Sequence, residues 1–291
     1  MRNLKPLISI FFLFSCGEKP VEPSATDAAP TAEEGVEGSS ADGAVGEDNQ
    51  AQPMGQEQLE AEAQNITLVP SPAEMEKALV NVGIDSALST LVDDRLIGVD
   101  VENLDQVAVR TGVVLAQVIL TVKTAPKERL VARLSTLKSG FDKLGVGDDI
   151  PGTIDDISNR IANDAVSRED LLKEVDELAG IMVPELETEV GEWVVPLIQA
   201  GSWLEGSHLV ATAIINDGKF DTGSGLLRQP AVVEYFLKYV QREGGDRAPD
   251  EVVGRLEQTL VKLKEIAKKS ALTQEDVNEI HSATGAVLEL L

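Results

Sequence analysis

The chain contains very few side chains that can act as nucleophiles or proton carriers at neutral pH. Its 291 residues include one cysteine, two histidines, two tryptophans and two tyrosines. A single cysteine cannot form a disulfide within the chain, so the fold must depend on an apolar core. Two histidines leave little for acid–base chemistry. Nucleophile motifs, His-Glu-x-x-His and phosphate-binding glycine loops are also absent. We therefore expect no enzyme and no cofactor, although catalysis by carboxylates alone stays open.

The sequence also lacks the alternating apolar and polar runs that are typical of β-strands. From about residue 66, apolar residues instead recur every three or four positions. Helix-start signals, a Ser or Thr followed three residues later by Glu or Asp, occur at Ser71, Ser167 and Thr273. Glycines at 145, 147, 244 and 245 predict breaks between helices. The pattern predicts an all-α multi-helix bundle over residues 66–291, with sub-bundles at 66–165 and 167–291.

Positive charge is scarce, and the net charge is −25. Residues 17–64 hold twelve Asp and Glu against the single Lys19, and they contain no aromatic residue. Such a segment cannot bury enough apolar surface to offset its ordering entropy, so residues 16–65 are predicted to be a disordered acidic segment. The segment is either a tether that holds the body away from the membrane surface or a tail whose length has no function. An acidic body repels nucleic acid phosphates, so no nucleic acid partner is expected.

The single cysteine stands at the end of an N-terminal signal. Arg2 and Lys5 precede a short apolar run at residues 7–14, and Leu13-Phe14-Ser15-Cys16 follows. This order is typical of a secretory signal peptide, here residues 1–15. The last four residues resemble the lipobox of bacterial lipoproteins. The alternatives are an ordinary secretory signal and an N-terminal membrane helix, although the run is shorter than the roughly 20 residues that span a bilayer.

The lipobox resemblance implies how the protein is held and where. It implies that Cys16 carries fatty acyl chains such as palmitate and that the membrane is a partner through this lipid. Because Gly17 follows the cysteine, and not the aspartate that retains enterobacterial lipoproteins in the inner membrane, the resemblance implies the outer membrane. The body then faces the periplasm or the cell surface, within the cell envelope.

The stretch TGVVLAQVILTV at residues 111–122 is almost continuously apolar. It is shorter than a membrane span and is flanked by Arg110 and Lys123. A helix that is apolar on nearly all sides is typical of the centre of a soluble bundle. We expect this helix to lie in the core.

Glu205 and His208 have the Glu-x-x-His spacing that di-iron bundles use twice, together with two further glutamates. The other histidine, His281, has Asn278 at the matching position, so the second pair is missing. Glu205 and His208 remain weak metal candidates. The alternative is a histidine hydrogen-bonded at a helix–helix contact, which the small residues Gly201 and Gly206 favour.

Two acidic stretches resemble cation sites only loosely. Carboxylates at residues 185, 187, 189 and 192 could collect a hard cation such as Ca²⁺, but they lack the residue order of a calcium loop, and a solvated helix face is far more common. Residues 216–221 lack the closing glutamate of a calcium loop. We interpret them as a turn.

Most aromatic residues of the body lie in one part of the sequence. They are Trp193, Trp203, Phe220, Tyr235, Phe236 and Tyr239, with Phe141 outside this group. Aromatic side chains often anchor ligand or partner surfaces. The alternative is that they build the core of the C-terminal half.

These observations predict a lipid-anchored envelope protein whose acidic helical body is a non-catalytic interaction or accessory module with an unknown protein partner. The second hypothesis is a binding protein that holds a small apolar ligand between helices near residues 193–239. An enzyme of unknown class is the third. A cavity would favour the second hypothesis, whereas an exposed face carrying Tyr235 and Tyr239 would favour the first.

Overall fold

Ten α-helices build the protein in the computed structural model, which describes residues 69–93, 97–247 and 250–291. No strand occurs among these residues, so the predicted all-α class is confirmed. The helices are α1 (Pro72–Asn81), α2 (Leu104–Thr121), α3 (Lys127–Leu144), α4 (Asp149–Ala162), α5 (Arg168–Glu189), α6 (Val194–Asp217), α7 (Phe220–Gly223), α8 (Pro230–Arg247), α9 (Asp250–Ala267) and α10 (Gln274–Leu290). The signal, Cys16 and the acidic segment lie outside the described residues.

Local signals in the sequence set several helix ends. Ser71, Ser167 and Thr273 each accept a hydrogen bond from the backbone N–H three residues later, at the starts of α1, α5 and α10. These bonds satisfy N–H groups that have no partner inside the helix. Gly145 ends α3 with φ of 82°, a left-handed conformation that glycine adopts without strain. The predicted helix starts and this break are confirmed.

The predicted break at Gly244-Gly245 is wrong. Helix α8 continues through both glycines to Arg247. A Cβ on Gly244 would lie 3.1 Å from Cγ1 of Val253, so Gly244 allows α8 and α9 to pack closely. Here glycine serves helix packing, and its cost to helix propensity, about 1 kcal/mol relative to alanine, is offset by that contact.

Helices α2 and α6 pass one another at the centre of the fold with their backbones almost in contact. A Cβ on Gly201 would lie 1.9 Å from the carbonyl oxygen of Val109, and one on Gly112 would lie 2.0 Å from the carbonyl oxygen of Ile198. Each helix therefore presents a glycine to the backbone of the other. This contact brings the two long apolar helices together along a common seam.

Among the described residues, α2 is the helix long and apolar enough to cross a membrane by length and composition, and 67% of it is buried inside the protein. A core helix of a soluble protein passes the same test. The burial agrees with the predicted place of residues 111–122 in the core, where Val113, Val114 and Ala116 are almost fully buried.

Two apolar clusters flank the central helix pair. The first joins α2, α3, α4, α5 and the start of α6, and it includes the fully buried Phe141. The second joins α1, the rest of α6 and helices α8 to α10. Each cluster contains residues from both predicted sub-bundles, because α2 and α6 each place apolar side chains in both clusters. All of these helices belong to one compact unit.

Candidate functional site

A cleft of about 560 Å³ lies between the starts of α2 and α6 and the helices α8, α9 and α10. Its volume falls within the range of small-molecule pockets, roughly 300–1,000 Å³. Aliphatic side chains from five helices form its wall: Val109, Leu197, Val240, Val253, Leu256 and Val287. One aromatic residue, Tyr239, is among the lining residues. The cleft is therefore a mainly hydrocarbon space inside a helical frame.

An ion pair closes one side of this cleft. Arg247, at the end of α8, donates from Nε to Oδ2 of Asp105 at 2.9 Å and from an NH2 group to Oδ1 at 2.7 Å. Its guanidinium also lies 4.3 Å from the ring centroid of Trp193. The hydrogen bonds from Arg247 to Asp105 raise the pKa of the arginine. The end of α8 is thus tied to the starts of α2 and α6.

Tyr239 adds a second tie at the same place. Its hydroxyl donates to the carbonyl oxygen of Trp193 at 3.0 Å, and only 8% of the residue is exposed. Burial raises the pKa of Tyr239 to about 12, so this hydroxyl stays protonated at neutral pH. A phenol fixed in this way presents its ring, and not a reactive oxygen, to the cleft.

Exposed leucines stand beside the cleft. Leu290, which contributes to the lining, is 66% exposed, and Leu104 is 47% exposed. Leu104 lies between Asn103 and Asp105, which both line the cleft. Leu290 extends the apolar lining of the cleft outward to the protein surface.

The aromatic residues predicted as a ligand or partner surface do not form one face. Trp203 and Phe236 are buried with ring centroids 5.4 Å apart, and Trp203 Nε1 donates to Oε1 of Gln229 at 2.7 Å. Tyr235 and Phe220 are half-buried and pack against the second apolar cluster. Tyr239 alone of the six lines the large cleft, and Trp193 lies behind its ion pair.

Glu205 and His208 point to different neighbours. Oε1 of Glu205 accepts a hydrogen bond of 3.0 Å from Nε2 of Gln117 on α2. His208 packs against α10, where Nδ1 lies 3.2 Å from the carbonyl oxygen of His281. The described residues contain no group of three or more His, Cys, Asp or Glu that could hold a metal ion. His208 thus lies, hydrogen-bonded, at a helix–helix contact.

A polar centre around Glu205 was not predicted. Glu205 is 6% exposed, and burial raises its pKa. The hydrogen bond from Gln117 and the positive charge of Arg133 lower the pKa and offset part of this rise. Arg133 is 2% exposed and donates to Oγ1 of Thr121 and to the carbonyl oxygen of Asp93. In the sequence, the only indication of this polar centre is Gln117, a polar residue within the apolar run 111–122. These groups join α2, α3 and α6.

The acidic stretch near the end of α5 has a structural use in part. Oε2 of Glu189 accepts a hydrogen bond of 2.7 Å from the backbone N–H of Gly147, after α3. Glu185 and Glu187 are half-buried on α5, and Glu192 lies beyond its end. Residues 216–221 contain the end of α6 and Gly218, which has φ of 65°. This conformation agrees with the predicted turn.

No family model, no curated protein and no solved structure matches the chain. Within the part of the chain that the structure describes, the cleft lined by α8, α9 and α10 has the size and lining of a ligand site.

Proposed function

We propose that the protein is a lipid-anchored, non-catalytic binding protein that holds a small apolar ligand in the cleft between α8, α9 and α10. The observation that carries the proposal is the cleft itself, about 560 Å³ with an aliphatic wall. It touches the sequence region expected for such a ligand through Leu197 and Tyr239. A membrane anchor at Cys16 places the protein where apolar molecules are abundant.

The chemistry of the wall favours an aliphatic chain as the ligand. Valine and leucine side chains offer many weak contacts to a flexible chain, whereas a flat aromatic ligand gains most from ring partners. Each buried methylene group contributes ~0.8 kcal/mol, so about ten of them would supply ~8 kcal/mol before the costs of association. Association costs ~4–15 kcal/mol, so useful affinity needs a cost near the lower end of that range or a longer buried chain.

The two acidic side chains that line the cleft are already engaged. Asp105 is held by Arg247, and Glu243 accepts a hydrogen bond of 2.7 Å from Nε of Arg242. A general acid or base needs a carboxyl group within reach of its substrate and poised near the working pH. The pairing of these carboxylates supports a binding role over a catalytic one.

An exposed face carrying Tyr235 and Tyr239 would have favoured the first hypothesis, a protein-interaction module. Tyr239 is 8% exposed and its hydroxyl is bonded to the backbone at Trp193. Tyr235 is half-buried. The burial of these rings removes the observation that would have favoured an aromatic docking face, and the ligand hypothesis is supported better.

The test is a binding titration with the neutral apolar fluorophore N-phenyl-1-naphthylamine. Leu256→Glu places a carboxylate in the apolar wall, whereas Val261→Glu adds the same charge to α9 at a position that is 44% exposed. We expect saturable binding to the unchanged chain and to Val261→Glu, and strongly weakened binding to Leu256→Glu. Equal affinity of both variants would contradict the proposal.

A further inference from the structure

The two histidines of the chain stack on one another. His208 on α6 and His281 on α10 are 73 positions apart in the sequence, yet their ring centroids are 4.4 Å apart and their planes are inclined by 23°. They lie where α6 packs against α10. Histidine is the side chain whose charge changes most readily between pH 5 and 8.

His208 is hydrogen-bonded to α10 and closely packed against it. Nδ1 of His208 lies 3.2 Å from the carbonyl oxygen of His281, and because a carbonyl oxygen only accepts, Nδ1 is the donor. Oγ1 of Thr284, also 3.2 Å away, donates to the carbonyl oxygen of Ile280 and so accepts from His208. A Cβ on Gly285 would lie 3.0 Å from Cε1 of His208, so the ring fits closely against α10.

A proton on each ring would place two like charges face to face. Burial and the neighbouring His281 lower the pKa of His208, and burial lowers the pKa of His281. The hydrogen bond to the carbonyl oxygen of His281 and the negative charge of Glu289 on α10 raise the pKa of His208, but more weakly. Both rings therefore remain neutral at pH 7.5 and accept protons only in acid.

Among the described residues, four acidic groups on the helices around the pair are engaged with other partners. Glu205 on α6 is hydrogen-bonded to Gln117 on α2, and Glu74 on α1 is hydrogen-bonded to the backbone of Ser71. On α10, Glu279 is paired with Lys262 of α9 and Asp276 with Lys269. Protonation of the histidines would therefore leave mainly their mutual repulsion and the weaker attraction of Glu289.

Helix α10 links the histidine pair to the cleft. His281 lies in its middle, and Val287, six residues later, is part of the cleft wall. At 1.5 Å per residue the two positions are about 9 Å apart along one rigid helix. A shift of α10 away from α6 at His281 would also move Val287 and Leu290 and open the cleft.

We propose that acid releases the ligand, because protonation of the stacked His208–His281 pair drives α10 away from α6 and removes one wall of the cleft. This inference rests on the proposed ligand-binding function and adds its regulation. The transition is linked to pH through the proton uptake of two groups. For each histidine, a pKa that is one unit higher in the open state than in the closed state shifts the equilibrium between the two states about tenfold toward the open state in acid.

The test measures the Kd of N-phenyl-1-naphthylamine at pH 7.5 and pH 5.0 with the full chain carrying Cys16→Ser, so that no acyl chain is attached. We expect the Kd to rise on acidification. The double variant His208→Asn/His281→Phe keeps a side-chain amide near the Nδ1 position and a ring in the stack, but it cannot titrate. Its Kd should be the same at both pH values.

A ligand-free readout separates failure of this inference from failure of the proposed function. Hydrogen-exchange protection of the α10 amides should fall between pH 7.5 and 5.0 in the unchanged histidine background and stay constant in the double variant. If the fluorophore fails to bind at pH 7.5 while α10 still loses protection in acid, the ligand proposal fails and the histidine switch stands. If the double variant shows the same loss of affinity and protection, the switch is overturned.

Folding of the double variant is checked by helical circular dichroism at pH 7.5. Should that signal be lost, His281→Phe alone serves, because it keeps the ring stack and His208 and removes only the second charge. Its change in Kd between the two pH values should be smaller than that of the unchanged histidine background. An equal change would overturn the proposal.

Discussion

The carbonyl oxygen of Val109 lies 1.9 Å from the point that a Cβ on Gly201 would occupy. No side chain fits there, so the two central helices are matched backbone to backbone. The start of α2, which lines the cleft, and the start of α6, which contributes Leu197, are fixed relative to one another by this contact. The cleft therefore has one rigid side and one side, α8 to α10, that rests on it.

Gly201→Ala should destabilise the protein by about 1–3 kcal/mol, because the added methyl group forces the helices apart. Gly254→Ala is the matched control, since Gly254 lies within α9 and a Cβ there meets nothing within 4 Å. It should leave stability unchanged or raise it by up to about 1 kcal/mol through helix propensity. Urea unfolding measures both. A Gly201→Ala protein as stable as the control would show that the helices can separate without cost.

Glu205→Gln should stabilise the protein at neutral pH. Burial raises the pKa of Glu205 in the folded state. The folded state thus binds a proton more readily than the unfolded state, and the penalty appears as pH rises through the folded-state pKa. Glutamine keeps an oxygen for Nε2 of Gln117 and carries no charge. The gain, about 1.4 kcal/mol per unit of pKa shift, should be present at pH 8 and vanish near pH 4.

This pH difference can be read from urea unfolding of both proteins at the two pH values. A variant that is less stable at pH 8 would show that the charge of Glu205 compensates Arg133 more than burial penalises it. Arg133 is the nearby cation that favours the ionised carboxylate.

The histidine pair predicts acid sensitivity of the whole fold. Both folded-state pKa values lie below the usual value near 6.5. The contribution of the histidine pair to stability is therefore constant above about pH 6.5 and falls as the pH drops below it, because the unfolded chain then takes up protons that the folded protein refuses. His208→Asn/His281→Phe should lose this part of the pH dependence. A parallel decline of both proteins between pH 6.5 and 5 would assign the effect to other groups.

Cys16→Ala should release the protein from the membrane fraction. The prediction follows from the lipobox resemblance, since without the thiol no acyl chain can be attached. Cell fractionation followed by immunoblotting measures it, with Ser15→Ala as a control that keeps the thiol. A processed Cys16→Ala protein that still sediments with membranes would contradict the lipid anchor; the mass of the protein shows whether the signal has been removed.

Helix starts and fold class could be predicted because they depend on neighbours in the sequence. Ser71 and Glu74, three residues apart, form their capping box with no help from the rest of the chain. Gly244 was misread as a break because its role depends on Val253 on the next helix. A glycine chosen for packing and one chosen for a turn have the same letter in the sequence.

The candidate site could not be predicted in the same way. Gln117 and Glu205 are 88 positions apart, and no periodicity indicates that they meet. The stacked histidines present the same difficulty, since His208 lies on α6 and His281 on α10 and no sequence spacing relates the two positions. The cleft is a volume left between five helices, and a sequence pattern indicates which residues are apolar but not where their side chains fail to fill the space.

The most direct measurement is mass spectrometry of the organic extract of the protein purified from its own membranes, with Leu256→Glu and Val261→Glu purified in parallel. The account predicts a near-stoichiometric apolar molecule with an aliphatic chain in the unchanged protein and in Val261→Glu, and its loss in Leu256→Glu. The acyl chains on Cys16 are covalently attached and stay with the protein, so they do not contribute to the extract. Extracts that hold no such molecule, or the same amount from all three proteins, would contradict the ligand-binding account.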